Sequence, residues 1–374
     1  RGREVLGLAD VVVYDFLANS ELLAFARPDA ERVYVGKRGG AHTLAQDKIN
    51  ELLVDLGRAG KSVARLKGGD PYIFGRGGEE AAALAAAGIA FEVVPGVTAG
   101  SAVAAYAGIP VTQRGLSSSV AFITGHEDAD KAFSAHNWDA LAHGAETLVF
   151  YLGVKPLPEI SARLLEAGLP GSRPAAAVEW GTTPRQRAVL STLADLPQAA
   201  AEAEIAAPAL VIVGEVAALR ETLQWYEKKP LFGRTVVVTR SREQAGELAA
   251  SLAALGAEVM EFPCIEVSPL PDKSLIHGAI GRLADYAWVV FTSANGVKFF
   301  WDELTALGKD SRVFAPCRVA AIGPGTAAAL VERGIIADFL PKSFVAESVV
   351  EGLTALGVAG RRVLIPRAVS ARDV

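Results

Sequence analysis

Cross-linking and metal-binding residues are scarce in this sequence: 2 cysteines and 5 histidines among 374 residues. Cys264 and Cys317 lie far apart and form no C-x-x-C pair, so neither a disulfide framework nor a structural zinc site is expected. Such cysteine usage suits a reducing, cytoplasmic setting. His42, His126, His136, His143 and His277 show no H-E-x-x-H or other helix-spaced pair, and no metal is expected. One-sided charge is missing too. Lys and Arg number 37 against 42 Asp and Glu, a net charge of −5, which speaks against a protein that coats nucleic acid. The opening residues show no signal-peptide pattern. One uncharged run, residues 93–113, is long enough to cross a bilayer. Pro95, Gly96, Gly100, Gly108 and Pro110 interrupt it, so it reads as a turn, a short helix and a second turn in a soluble core, and no membrane partner is expected. Methionine occurs once, as Met260, and the chain opens on Arg1; further residues are expected before Arg1 and after Val374.

Apolar residues are abundant, at 51% against 21% charged, which supports packed cores and excludes intrinsic disorder. The length suits two or three domains. Short β-branched runs at 11–14, 33–35, 63–66, 91–94, 120–124, 147–151, 175–178 and 210–213 read as strands. Ala/Leu/Glu stretches at 44–59, 78–87 and 157–167 read as helices between them. Alternation of this kind predicts an α/β fold with largely parallel sheets. Residues 225–231, polar and containing Pro230, read as a linker. Beyond it the α/β pattern continues, with strands expected at 235–239, 258–262, 288–292, 319–322 and 363–365. A faint repeat relates residues 233–240 to 360–367, both Gly-Arg, an apolar strand and a closing Arg.

Ligands of open α/β sheets bind beyond the carboxyl ends of the strands. In this chain those ends carry Asp15, Gly36-Lys37, Lys67-Gly68-Gly69-Asp70, Pro95-Gly96-Val97-Thr98-Ala99, Gly125-His126, Leu152-Gly153 and Trp180-Gly181-Thr182. Glycine and polar residues at end after end describe a surface that a ligand approaches closely. The spacing around Gly68 and Gly69 is neither G-x-G-x-x-G nor a phosphate loop. Asp70 is placed to accept hydrogen bonds from an amine or a ribose hydroxyl, or alternatively to cap a helix. Asp15 and Lys37, at neighbouring strand ends, are the acid/base candidates; a plain surface ion pair is the other reading. His126 suits a loop contact or a ligand contact equally. In the second part, Thr239-Arg240-Ser241-Arg242, Thr292-Ser293-Ala294-Asn295 and Gly323-Pro324-Gly325-Thr326 follow strands and suit a polycarboxylate or phosphate, or plain helix caps.

The stretches A-D-V-V-V-Y-D (9–15), V-G-K ending at Lys37, R-L-K-G-G-D-P-Y-I-F-G-R-G-G-E-E (65–80) and V-V-P-G-V-T-A (93–99) resemble uroporphyrinogen-III C-methyltransferase. A-Y-A-G-I-P-V-T (105–112), S-S-V-A-F-I-T-G-H-E (118–127) and the segment ending at Gly214 extend the likeness over residues 1–225. Residues 232–374 resemble uroporphyrinogen-III synthase through G-R-T-V-V-V-T-R (233–240), F-T-S-A-N-G-V (291–297) and A-I-G-P-G-T-A (321–327). The resemblance implies a two-lobed tetrapyrrole methyltransferase fold, followed by an incomplete two-lobed α/β synthase-like region. The family's first strand and its G-A-G-P-G-D loop would precede Arg1, and the completion of the synthase region would follow Val374.

For the first part the resemblance implies two methyl transfers from S-adenosyl-L-methionine to uroporphyrinogen III, giving precorrin-2 for sirohaem or cobalamin. Carried over by motif, the methyl donor would touch Gly68, Gly69, Asp70, Ile73, Thr98, Ala99, Leu152 and Gly181. Asp15 would accept a proton and Lys37 would donate one. Gln113 stands where a histidine is often seen, and Leu152 where methionine is common. For the second part the resemblance implies closure of hydroxymethylbilane, with Thr292, Ser293, Asn295 and Thr326 as substrate contacts. A homodimer formed through the first part is expected. The alternatives are another methyltransferase of the same fold, acting on a different acceptor, and a non-catalytic tetrapyrrole- or nucleoside-binding protein.

Overall fold

The computed structural model describes residues 1–36, 44–125, 136–240 and 242–368, with side chains throughout except at 242–245. The chain divides into two compact units, Arg1–Thr239 with Glu243–Phe262, and Arg240–Arg242 with Pro263–Val374.

The first unit opens with α1 (Gly2–Leu8) and a three-stranded parallel sheet of β1 (Val11–Tyr14), β2 (Glu31–Tyr34) and β3 (Val63–Leu66), in the order β2-β1-β3. The central strand is Val-Val-Val-Tyr because both its faces are covered, which calls for a continuous apolar run rather than an alternating one. Val12 packs against Leu6, Ala9 and Leu23 on one face. Val11 and Val13 pack on the other against Ile49 and Leu53, four residues apart on α2 (Gln46–Arg58). Helices α3 (Gly77–Ala86) and α4 (Ala99–Tyr106) follow. The α4 helix, with irregular chain on either side, is the middle of the uncharged run 93–113. Among the described residues no helix is long and apolar enough to cross a membrane.

A second sheet in this unit holds β4 (Val120–Thr124), β5 (Thr147–Tyr151), β6 (Pro174–Glu179), β7 (Arg187–Thr192) and β8 (Ala209–Val213), in the order β4-β5-β8-β6-β7. Only β4 and β5 are parallel; β8 runs antiparallel to both β5 and β6, and β7 to β6. The expectation of largely parallel sheets therefore holds for the first sheet and not for this one. Because β8 is reversed between β5 and β6, those two still point the same way as β4. Their carboxyl ends, at Gly125, Leu152 and Trp180, share one edge of the sheet. Its small-residue strand Ala175-Ala176-Ala177 is buried on both faces. On one side lie residues of α6 (Leu157–Glu166) and α7 (Leu196–Glu202), preceded in the chain by α5 (Trp138–Gly144); on the other lies α4.

Two segments depart from expectation. The run 91–94 joins no sheet among the described residues; Glu92 is hydrogen-bonded to Arg1 at 2.5 Å and Val94 lies near Gly2, both at the start of α1. Strand β7 was not evident, since its Arg-Ala-Val-Leu-Ser-Thr run alternates only weakly. The unit closes with α8 (Arg220–Leu223), a two-stranded parallel sheet of β9 (Thr235–Val238) and β10 (Glu258–Glu261), and α9 (Arg242–Ala254) between them.

The second unit contains α10 (Ser274–Gly281), β11 (Trp288–Phe291), α11 (Ala294–Ala306), β12 (Arg318–Ala321), α12 (Pro324–Val331), α13 (Ala346–Ala355) and β13 (Val363–Leu364). Its sheet is parallel, in the order β12-β11-β13. The two repeat-like segments thus supply strands of different sheets, β9 and β13. The core is aromatic: Phe291, Phe300, Trp301 and Phe314 cluster, with Trp301 and Phe314 stacked at 5.0 Å. At its edge the buried carboxylate of Glu303 accepts from Lys273 Nζ at 2.6 Å and His277 Nε2 at 2.7 Å, tying α11 to the start of α10. Hydrogen bonding from Lys273 first, then His277, lowers the Glu303 carboxyl below its ordinary value of 4.5. A lowered acid stabilises the fold above its unfolded value and loses that contribution as pH falls through the folded one. The second unit is therefore expected to lose thermal stability as pH falls below about 4.5. Melting curves of Glu303→Gln should show a flatter acid limb than wild type; an unchanged limb would remove this carboxylate from the account.

Candidate active site

The ends of β1 and β3 are joined by a charged network. Asp15 follows β1; its Oδ1 accepts from the Leu17 amide at 3.1 Å and its Oδ2 from Arg65 Nη2 at 2.9 Å. Arg65 Nε donates in turn to Glu80 Oε1 at 3.2 Å, and the same oxygen accepts from Lys67 Nζ at 2.8 Å and Gln46 Nε2 at 3.2 Å. Glu80 is 5% exposed. Two carboxylates and two cations thus neutralise one another at the carboxyl end of the sheet, which is the condition under which such groups tolerate burial. The partner of Asp15 is Arg65, on the central strand's other neighbour. Lys37, expected to face it, lies outside the described residues, as does His126.

A second set of bonds brings the following loops together. Asp70 Oδ1 accepts from the Tyr72 amide at 2.8 Å, making a tight turn, and Oδ2 accepts from the Gly96 amide at 2.9 Å. Asp70 therefore links the 68–72 loop to the 95–99 loop. A side chain at Gly96 would stand 2.2 Å from the Gly69 carbonyl oxygen, so the close approach requires glycine there. Thr98 and Ala99, at the start of α4, come next to Gly69 across this contact, and Ile73, half-buried, donates its amide to the Asp70 carbonyl at 3.3 Å.

Tyr151 was not singled out by sequence, yet it connects the two sheets. It ends β5, and its hydroxyl bonds the Thr98 hydroxyl and accepts from the Gly100 amide at 2.6 Å. Its ring lies 4.7 Å from that of Phe74 and 6.0 Å from that of Phe122. The loop after β3, the first turn of α4, the middle of β4 and the end of β5 thereby meet at one side chain. The signal available was a hydroxyl-bearing aromatic closing an otherwise apolar strand.

Backbone strain gathers at the same edge. Among the described residues, six that are not glycine have positive φ: Phe74, Arg76, Leu152, Trp180, Thr182 and Glu204. All but Glu204 stand in the loop after β3 or directly after β5 and β6. A left-handed residue with a Cβ costs about 1–2 kcal/mol, and such costs concentrate where a site needs them. Leu152 is one of these residues and is 63% exposed. Gly181 sits between two of them.

In the second unit, Thr292 and Ser293 follow β11. Ser293 Oγ accepts from the Gly296 amide at 3.0 Å and so caps α11, in whose first turn Asn295 lies. Thr326 is buried in α12, after β12. A surface cavity of about 500 Å³ between α2 and α3, lined by Asp47, Glu51, Asp55 and Arg58, includes none of these residues. Among the described residues no three His, Cys, Asp or Glu side chains are grouped to hold a metal ion.

Residues 1–197 match the family model described as Tetrapyrrole (Corrin/Porphyrin) Methylases. The chain belongs to this family. Residues 246–374 match a second model, Uroporphyrinogen-III synthase HemD, so a methylase and a synthase region are fused in one chain. A porphyrin biosynthesis protein HemD of Ruminiclostridium josui is 42% identical over all of this chain and 74% of its own length. A uroporphyrinogen-III C-methyltransferase of Bacillus subtilis is 40% identical over 90% of this chain and 68% of its own. A siroheme synthase of Chromobacterium violaceum is 54% identical over 61% of this chain, spanning 48% of that protein. The solved structure of a cobalt precorrin-4 methyltransferase superposes with a TM-score of 0.50 at 28% identity, covering 57% of this chain and 87% of that one. The three-stranded sheet β2-β1-β3 and the five-stranded sheet β4-β5-β8-β6-β7 are thus the two lobes of a tetrapyrrole methylase.

Removing the buried anion should be costly. Glu80→Ala leaves Arg65 and Lys67 without their shared partner and is expected to destabilise the first unit by about 3–5 kcal/mol, read as a lowered denaturation midpoint. Tyr151→Phe, which strands a buried hydroxyl and amide, is expected to cost about 1–3 kcal/mol. A midpoint equal to wild type in either variant would contradict the bonding described.

Proposed function

We propose that the methylase part, residues 1–225, carries two methyl groups in succession from S-adenosyl-L-methionine to ring carbons of uroporphyrinogen III, giving precorrin-2 on the way to sirohaem or cobalamin. The observation that carries this reading is the convergence, in a tetrapyrrole methylase, of an anchored carboxylate with strained, glycine-containing loops at the ends of both sheets. Those loops fit the methyl donor. Val97 offers exposed apolar surface beside Gly69, Leu152 offers more at the end of β5, and Asp70 keeps the 68–72 and 95–99 loops in place. Gly68, Gly69, Asp70, Ile73, Thr98, Ala99, Leu152 and Gly181 would hold it. Bound there, it supplies an electrophilic methyl group on a sulfonium.

The remaining chemistry falls to the chain's residues. The new carbon–carbon bond leaves a positive charge on the pyrrole, which is discharged by loss of a proton. Asp15, clamped by Arg65 through one oxygen and by the Leu17 amide through the other, is the acceptor we assign; Lys37 is the assigned donor. Positioning two reactants away from water supplies most of the acceleration in such a transfer, and general-base removal of the proton adds to it. The synthase part, residues 232–374, is assigned to ring closure of hydroxymethylbilane in the whole protein, with Thr292, Ser293, Asn295 and Thr326 at its substrate. The setting proposed is cytoplasmic, as a homodimer joined through the methylase part, with no nucleic-acid or membrane partner.

Anaerobic incubation with uroporphyrinogen III and methyl-labelled S-adenosylmethionine tests the reading, with transferred methyl groups counted by mass. Two per tetrapyrrole are expected. Binding of both compounds without transfer would point to the non-catalytic alternative, and transfer only to a different acceptor would point to another methyltransferase of this fold. Asp15→Asn is expected to lower the transfer rate by about 10²–10⁴-fold, with affinity for the methyl donor little changed.

A further inference from the structure

We infer that the segment following α8 acts on the methyl-donor site, with Tyr226 and Glu227 as positioning residues for the loop 180–186. The inference rests on the reading that Gly181 touches the methyl donor. Thr182 is β-branched and holds φ at +70°, a conformation that persists only where its surroundings impose it. Both its backbone groups are held by side chains, one from the loop itself and one from the segment after α8. Its amide donates to Gln186 Oε1 at 2.9 Å, and its carbonyl accepts a long bond, 3.4 Å, from the Tyr226 hydroxyl. Gln186 is 3% exposed, and its amide nitrogen donates to Glu227 Oε1 at 2.8 Å and to the Tyr106 carbonyl at 3.3 Å. The other oxygen of Glu227 accepts from Arg220, which is itself buried and donates to the Ala107 carbonyl at 2.6 Å.

Glu227 therefore fixes which way the Gln186 amide faces, and Gln186 fixes Thr182. Gly181 lies next in the chain, pressed on α4 so closely that a side chain would stand 2.4 Å from Val103. The path runs from Glu227 to the helix whose first turn carries Thr98 and Ala99. Tyr226 is 6% exposed, with its ring against those of Tyr106 and Phe232 at 4.8 and 5.3 Å. Burial, with the nearby Tyr106, raises its hydroxyl above the ordinary 10, so it remains a donor.

The test is equilibrium binding of S-adenosylhomocysteine to the full chain. Glu227→Gln, which places a second amide opposite Gln186, is expected to weaken binding about tenfold, or about 1.4 kcal/mol. Tyr226→Phe should weaken it less, and it keeps the test open should Glu227→Gln not fold. Trp225→Phe, which loses the bond to the Ala105 carbonyl but keeps a ring beside Tyr106 and Tyr226, should bind as wild type. In turnover, KM for the methyl donor should rise in the first two variants while KM for the tetrapyrrole stays constant. Folded Glu227→Gln and Tyr226→Phe proteins with wild-type affinity, whatever their melting points, would overturn the inference alone. A wild-type chain with no affinity for S-adenosylhomocysteine would overturn the methyl-donor reading and this inference with it.

Discussion

Everything at the candidate site depends on loops that approach one another without a shared β-ladder, and the Tyr151 side chain joins the end of β5 to the start of α4 and to the loop after β3. Parallel strands deliver their ends to an edge, but nothing in the sheet itself dictates where the chain goes next. Tyr151 reaches Thr98 and Gly100 on α4, and its ring meets Phe74 from the loop after β3. Asp70 does the same between its own loop and Gly96. Side chains with two acceptor positions or a donor–acceptor hydroxyl take over where backbone pairing ends, which keeps buried polar groups satisfied. No buried side-chain nitrogen or oxygen among the described residues is without a partner.

The charged network beneath Asp15 follows the same logic with larger energies. Arg65 offers donors in a fixed planar fork, so it serves Asp15 and Glu80 at once. Lys67, a point charge on a flexible stem, completes Glu80. The carboxylate assigned to proton transfer is thus oriented by a cation that is oriented by a second, more deeply buried carboxylate. Such an arrangement holds the Asp15 carboxylate in one orientation.

Much of this edge was legible in the sequence. The strand ends were marked by glycine and polar residues, and reversal of β8 returned β6 to the direction of β4 and β5, so the ends collected along the chain share an edge although the second sheet is mostly antiparallel. What could not be read was pairing. Neighbouring strand ends suggested Lys37 for Asp15; Lys37 lies outside the described residues, and the partner that is described, Arg65 of β3 on the other side of β1, was not suggested by the sequence. Tyr151 bonds residues 51 and 53 positions away and Gln186 bonds residues 41 and 80 positions away along the chain, which no local pattern announces. The run at 91–94 had strand composition, but composition supplies no partner edge, and the segment meets α1 instead. Positive φ at Leu152 and Thr182 is likewise a product of the surroundings, since neither residue type prefers it.

The strained loops at this edge are proposed to form the methyl-donor site. A crystal structure of the full chain grown with S-adenosylhomocysteine tests it directly. The account predicts the ligand in contact with the 68–73 and 97–99 segments, Leu152 and Gly181, with its sulfur facing the side of the cleft that holds Asp15. A ligand bound elsewhere on the chain, with these loops untouched, would contradict it.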